Sequence, residues 1–130
     1  MEHHMDKTMI SSLGLMTYGI YVLTTSAKDD NGNPQYNGMI ASWVTQVSYE
    51  PPMLMAAVHP DRRSHLLLEK HGVFRLHIID RSQKDLLKIF KGPVPHEKFD
   101  SIRWEIKQTG VPVLKDCLAW FELEVATQIK

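Results

Sequence analysis

Several features that would narrow the function are missing from this sequence, and each absence excludes a class of protein. The chain has a single cysteine, Cys117, so no intrachain disulfide can form, which fits a reducing cytoplasm. It has no run of about 18 apolar residues, so no membrane-spanning segment is expected, and its N-terminus lacks the apolar core of a signal peptide. Lys plus Arg number 15, as do Asp plus Glu, and this zero net charge argues against nucleic acid as a partner.

Motifs that would point to particular chemistry are missing as well. There is no GxGxxG or Walker sequence, no HExxH pair, no GxSxG nucleophile turn and no CxxC pair. Seven histidines raise the question of a metal, but two arginines between His59 and His65 would repel a cation. We therefore predict no metal site, and we interpret Cys117 as a buried structural thiol.

What is present is a series of segments with β-type composition. Strands are predicted at Tyr18–Ser26, Tyr36–Val47, Met53–His59 (fully buried), Val73–Ile79, Ile102–Gln108 and Leu118–Ile129. Three short helices are predicted, the first at Thr8–Met16. The second begins with an N-cap at Ser64 and ends at Gly72. The third begins at Ser82, with Asp85 as a capping partner, and ends at Gly92-Pro93, and a loop follows at Val94–Ser101. Because the strands follow one another closely, antiparallel pairing in a barrel-like sheet is favoured. The predicted fold class is mainly β with short helices.

A basic cluster lies at the predicted start of the second helix, where Arg62, Arg63, Ser64 and His65 follow one another. A helix N-terminus offers unpaired N–H groups and a positive dipole end, and arginine matches phosphate oxygens in a bidentate manner. The cluster therefore suggests a phosphate site. A capped helix with solvated arginines explains the same residues, and the pattern alone leaves both interpretations open.

Small and hydroxyl-bearing residues occupy the preceding strand, at Gly38, Ala41, Ser42 and Thr45. Such residues let a flat polar ring approach backbone amides closely, as an isoalloxazine requires. An ordinary strand with small packing residues is the alternative. Trp43 in the same strand suits either a ring contact or the core, while Trp104 and Trp120 are assigned to the core. A ring site next to a phosphate site is what a mononucleotide such as FMN would need.

Four segments, in order, resemble the flavin reductase-like family of FMN-binding split-barrel proteins, in particular flavoredoxins and the flavin domain of high-molecular-weight rubredoxins. They are Tyr18–Thr25, Asn37–Ser48 with Pro51-Pro52, Arg63–His65 with Gly72–Phe74, and Gly110–Leu114 with Leu118–Val125. The resemblance implies a split β-barrel and a homodimer that binds FMN non-covalently near the subunit interface. The matching flavin-site positions are Ala41, Ser42, Trp43, Val44 and Thr45 for the ring, Arg62, Arg63, Ser64 and His65 for the phosphate, and Phe90 and Lys91 at the end of the last helix.

The resemblance also implies an oxidoreductase that passes electrons from NAD(P)H through flavin to an acceptor, either an electron-acceptor protein or free flavin. An FMN-binding electron-transfer module without direct NAD(P)H activity, and a barrel that has lost its cofactor, are the alternatives. We expect residues 1–7 to be a disordered or tag-derived N-terminus and residues 8–130 to form a single domain in the cytoplasm. The family usually continues into a further strand where this chain ends at Lys130, so an exposed sheet edge is expected to be covered by dimer pairing.

Overall fold

The computed structural model of the protein describes residues 6–92 and 95–130, so the predictions made for residues 1–5, Pro93 and Val94 lie outside the described residues. The helices are α1 (Lys7–Leu13), α2 (Arg63–His71) and α3 (Asp85–Lys91), with 3-10 helices at Arg81–Gln83 and Pro95–Phe99. The strands are β1 (Tyr21–Lys28), β2 (Pro34–Ala41), β3 (Val44–Tyr49), β4 (Pro52–Ala56), β5 (Val73–Ile78), β6 (Trp104–Ile106), β7 (Pro112–Leu114) and β8 (Ala119–Glu124). None of the helices described is long and apolar enough to cross a membrane.

The main sheet has four antiparallel strands in the order β2-β1-β5-β8. β1 lies inside the sheet, paired with β2 on one side and β5 on the other, and both of its faces are covered. It is therefore buried along nearly its whole length. On one face Val22 packs with Phe90, Phe99 and Leu114, and on the other Leu23 packs with Ala41 and Leu76. The two small cores thus lie on opposite sides of one sheet.

Two further antiparallel pairs complete the β structure, β3 with β4 and β6 with β7. Among the described residues these pairs stay separate from the main sheet, so no continuous ring of strands forms. The prediction of a mainly β fold with short helices is confirmed, and the open arrangement of the sheets is that of a split barrel.

The prediction of one long strand over Tyr36–Val47 is wrong. The chain leaves the main sheet after Ala41, and β3 then pairs with β4 in a separate hairpin. Met53–His59 is also not a buried strand, because Met53 and Met55 on β4 are 39% and 58% exposed. An apolar run indicates that a segment avoids water, but it does not say whether the covering surface belongs to the same chain.

Helix starts differ from the predictions for local reasons. The N-cap of α2 is Arg62, and Ser64 is turned inward to hydrogen-bond with the sheet. The capping box before α3 joins Asp80 to Gln83, in place of the predicted Ser82 and Asp85. Gly72 does end α2, in the left-handed conformation (φ 76°) that glycine favours. Part of the predicted loop Val94–Ser101 forms the second 3-10 helix.

Several boundaries are shifted, and one assignment to the core is wrong. β1 starts at Tyr21, three residues after the predicted Tyr18, and β8 ends at Glu124, well before Ile129. β6 has only three residues, and a further short strand, β7, begins at Pro112. Trp104 packs against the core, but Trp120 is 39% exposed, and its ring lies 5.1 Å from the Arg75 guanidinium.

Position 38 is a glycine because an aromatic ring of this chain packs against it. The sequence alone could not tell whether the ring that needs this space belongs to the protein or to a ligand. A Cβ built at Gly38 would overlap the ring of Phe90, which is 2% exposed and belongs to α3. Gly38 therefore lets α3 pack directly on β2. This close packing sets the position of β2, the strand that leads to both parts of the candidate site.

Candidate functional site

The N-terminus of α2 combines a helix dipole with two exposed cationic side chains. Arg62 is the N-cap residue, and no side chain of the described residues caps the helix there. The first turn contains no acidic residue, and both Arg62 and Arg63 are exposed. Positive side chains at the positive end of a helix repel the dipole, so this arrangement becomes favourable when an anion binds.

A buried polar network holds this helix start against the sheet. Asn37 Nδ2 donates to Ser64 Oγ at 3.0 Å, and the Thr25 hydroxyl lies 3.4 Å from the same oxygen. Ser64 is fully buried, which explains why it does not act as the predicted N-cap. Arg63 donates from its guanidinium to the side-chain oxygen of Gln35 at the start of β2. The sheet thus determines the orientation of the first turn of α2.

Lys98, from the 3-10 helix Pro95–Phe99, completes the network from the other side of β2. Its ammonium donates to Asn37 Oδ1 at 3.0 Å and to the Gly38 carbonyl oxygen at 2.8 Å. Burial lowers the pKa of Lys98, and the positive charge of Arg62 lowers it further. Sequence reasoning assigned no role to Lys98, Asn37 or Gln35, because no local pattern links a loop lysine to residues about 60 positions away, or Arg63 to a glutamine 28 positions before it.

The residues predicted to contact the ring lie where the chain leaves β2 and enters β3. Ala41 is buried, Ser42 and Val44 are half-buried, and Trp43 and Thr45 are exposed, Trp43 to 67%. The Ala57 N–H donates to the Trp43 carbonyl oxygen at 2.9 Å, which ties the crossing to the end of β4. Ser42 lies five residues beyond Asn37, or about 17 Å along an extended strand. This part of the chain therefore presents an exposed indole and small side chains away from the cationic helix start.

The remaining predicted positions lie in different environments. His65 is half-buried on α2, with its Nδ1 3.4 Å from Glu69 Oε1. Phe90 is enclosed in the core, whereas Lys91, the last residue of α3, is exposed. The structure thus brings Arg62, Arg63, Ser64 and His65 together, keeps Ala41–Thr45 together at the crossing, and separates the Phe90 ring from both groups.

Neither a metal centre nor an activated thiol is found among the described residues. Within residues 6–92 and 95–130, no group of three or more His, Cys, Asp or Glu side chains is arranged to hold a metal ion. Cys117 is a half-buried free thiol whose pKa is raised by burial and by the neighbouring Asp116. A raised pKa makes the thiolate, and hence nucleophilic reactivity, less accessible. The donor set that remains, the cationic side chains at the start of α2, suits an anionic group.

Comparison with known proteins gives a consistent result. The family model described as a flavin reductase like domain matches residues 13–130. The chain is 30% identical to diflavin flavoprotein A 1 from Synechocystis sp. over 131 aligned positions, which cover 97% of this chain and 22% of that protein. It is 33% identical to the NADH-dependent flavin reductase StyB from Pseudomonas fluorescens, with 92% of this chain and 66% of that one covered.

The fold is shared with a solved structure. The styrene monooxygenase flavin reductase from Pseudomonas putida S12 superimposes with a TM-score of 0.72 and 30% identity, covering 92% of this chain and 73% of that one. The split-barrel prediction is therefore confirmed. The chain spans only about a fifth of the diflavin relative, so that protein's other segments have no counterpart in these 130 residues.

Proposed function

Because the chain belongs to the flavin reductase-like domain family, we propose that it binds FMN and acts as a flavin reductase-like oxidoreductase using NAD(P)H. The observation that carries this proposal is the uncapped start of α2, where Arg62 and Arg63 meet the helix dipole without an acidic neighbour in the first turn. The phosphate of FMN would bind there, and the flavin ring would lie against residues 41–45.

Each group of residues has a distinct task in this proposal. Arg62 and Arg63 bind the phosphate, while Ser64, held by Asn37, fixes the first turn of α2 so that its dipole points at the anion. The small side chains at Ala41 and Ser42 give access to the backbone, and the exposed Trp43 can cover or flank a ring. Bound flavin would supply the redox chemistry, so the protein's tasks are binding, orientation and electrostatic stabilisation.

Spectroscopy of the purified protein tests the cofactor and the electron donor separately. We expect FMN to bind with a perturbed visible absorption spectrum, and anaerobic NADH or NADPH to bleach that absorption. A protein that leaves the FMN spectrum unchanged would contradict cofactor binding. If dithionite bleaches bound FMN but neither nicotinamide does, the chain is an electron-transfer module that receives electrons from a partner protein, and the reductase activity is excluded.

We also propose that the protein is a homodimer, which the exposed surface supports. The chain exposes 9648 Å², whereas a compact monomer of 15.0 kDa would expose about 7,000 Å². The excess of roughly 2,600 Å² per chain, or roughly 5,200 Å² for two chains, lies at the upper end of the total area that obligate homodimers bury. α1 has no buried residue, and large apolar side chains are exposed on it and on β3 and β4, among them Met9, Leu13, Val47 and Met55.

A native mass near twice 15.0 kDa is therefore expected. Sedimentation equilibrium across a wide protein concentration range would measure it, since a dimer of this interface size should persist at low micromolar concentration. Because α1 and the β3–β4 hairpin carry seven of the 19 exposed large apolar side chains of the described residues, Met55→Glu should weaken the dimer. A native mass near 15.0 kDa at every concentration would contradict this proposal.

A further inference from the structure

Lys98 carries a buried positive charge that has only neutral partners in the described part of the chain. Its side chain is 8% exposed, and its ammonium donates to an amide oxygen of Asn37 and to the carbonyl oxygen of Gly38. Within residues 6–92 and 95–130, no carboxylate forms a salt bridge with it. Lysine is almost never fully buried unless it is paired.

This buried charge is costly in the free protein. Taking an ammonium out of water is unfavourable unless an opposite charge compensates it, and here the nearest strong influence is the like charge of Arg62. Both effects lower the pKa of Lys98. Two neutral hydrogen bonds reduce the cost without neutralising the charge, so the site is most favourable when an anion lies close by.

We propose that Lys98 is the third cation of the anion site at the start of α2, acting from behind β2. Its charge attracts the phosphate of the bound flavin, and its hydrogen bond to Asn37 orients the amide that holds Ser64 in the first turn. Lys98 is therefore a positioning residue that favours phosphorylated over unphosphorylated flavin. This inference rests on the proposed binding of FMN.

Comparing FMN with riboflavin, which lacks the phosphate, isolates this role. Lys98→Met removes the charge but keeps most of the side-chain volume, and it should weaken FMN binding about tenfold, the effect of one charge at about 12 Å through an effective dielectric of about 20. Riboflavin affinity, measured by quenching of flavin fluorescence, should stay within about twofold of the wild type. Lys88→Met, which changes an exposed lysine of α3, is the matched control and should alter neither affinity.

The pH dependence gives a readout that a purely structural role would not produce. Above pH 7.5 the phosphate is fully ionised, so any further change in the FMN-to-riboflavin affinity ratio reports on the protein. In the wild type this ratio should fall as Lys98 loses its proton, at a pH below the usual range of lysine, and in Lys98→Met it should be flat there. Lys98→Arg, which keeps the charge, should retain most of the ratio.

A second variant keeps the test decisive if Lys98→Met folds poorly. Asn37→Asp supplies a carboxylate that neutralises the Lys98 ammonium, now 3.0 Å from Asn37 Oδ1. The Ser64 hydroxyl can turn to donate to the oxygen that replaces Asn37 Nδ2, so the first turn of α2 should keep its position, FMN affinity should fall and riboflavin affinity should be spared. Equal losses for both flavins in these variants would overturn the role of Lys98, although FMN binding itself would stand. If the wild type binds neither flavin, the proposed function fails and the inference fails with it.

Discussion

Replacing Arg62 and Arg63 together by alanine is expected to weaken FMN binding at least a hundredfold. Both guanidiniums are exposed at the uncapped start of α2, where they can reach an anion without any rearrangement of the core. A charge-assisted hydrogen bond contributes about 1.5–3 kcal/mol, and each factor of ten in affinity corresponds to about 1.4 kcal/mol. Two such contacts therefore account for at least two orders of magnitude.

Riboflavin and a matched double variant are the controls for this experiment. Riboflavin has no phosphate, so its affinity should change by less than about threefold when the two arginines are removed. Arg81→Ala combined with Lys84→Ala removes two exposed cations at the start of the next helical segment and should leave FMN affinity unchanged. Titration of flavin fluorescence measures all three proteins. If FMN affinity is unaffected in the Arg62 and Arg63 variant, the phosphate is not held at α2.

Whether a residue of this site could be predicted from the sequence depends on how far along the chain its partners lie. The cluster Arg62–His65 lies within four consecutive residues, so its place at a helix start was predictable from local composition alone. Lys98 could not be found in this way, because its partners Asn37 and Gly38 are about 60 residues away. Ser64 looked like an N-cap, but Asn37 and Thr25 offer buried partners that draw its hydroxyl inward.

The same distinction applies to the fold. The composition of Val73–Ile79 predicted a strand, and β5 is present, but composition does not show that both faces of the strand are covered. Arg75 and His77 form a polar face that is completely buried beneath the segment 109–114. The break after Ala41 was missed because Ser42 and Trp43 carry no turn signal such as Gly or Pro. Only tertiary pairing with β4 explains it.

His77 joins two parts of the fold through a single neutral imidazole. The Val22 carbonyl can only accept, so Nδ1, 3.0 Å from that oxygen, carries the proton. Nε2 then accepts from the Leu114 N–H at 3.1 Å. Protonating Nε2 would break the link between β5 and β7. Burial lowers the pKa of His77 from 6.5 to about 4, the hydrogen bond to Val22 partly opposes this, and the Arg75 charge lowers it further.

This pKa difference predicts a specific loss of stability in acid. Between pH 6.5 and 4 the unfolded chain binds a proton at His77 and the folded chain does not, so falling pH favours unfolding across this window. At 1.36 kcal/mol per pKa unit, the contribution is about 3 kcal/mol, fully present above pH 6.5 and lost as the pH approaches 4. Urea unfolding of the apoprotein at pH 7.5, 6, 5 and 4.2 measures it.

The variant His77→Gln separates this contribution from that of the other titrating groups. Glutamine retains a donor and an acceptor but cannot be protonated in this range, so it should be less stable at pH 7.5 and lose less stability on acidification. The carboxylates whose pKa values are lowered, including Asp80, Asp116 and Glu122, are the same in both proteins and cancel in the difference between the two pH slopes. That difference should approach 3 kcal/mol over the window, because it reports one proton at one site. Parallel slopes would show that the native imidazole takes up its proton over the same pH range as the unfolded one, and would contradict its role as a neutral acceptor for the Leu114 N–H.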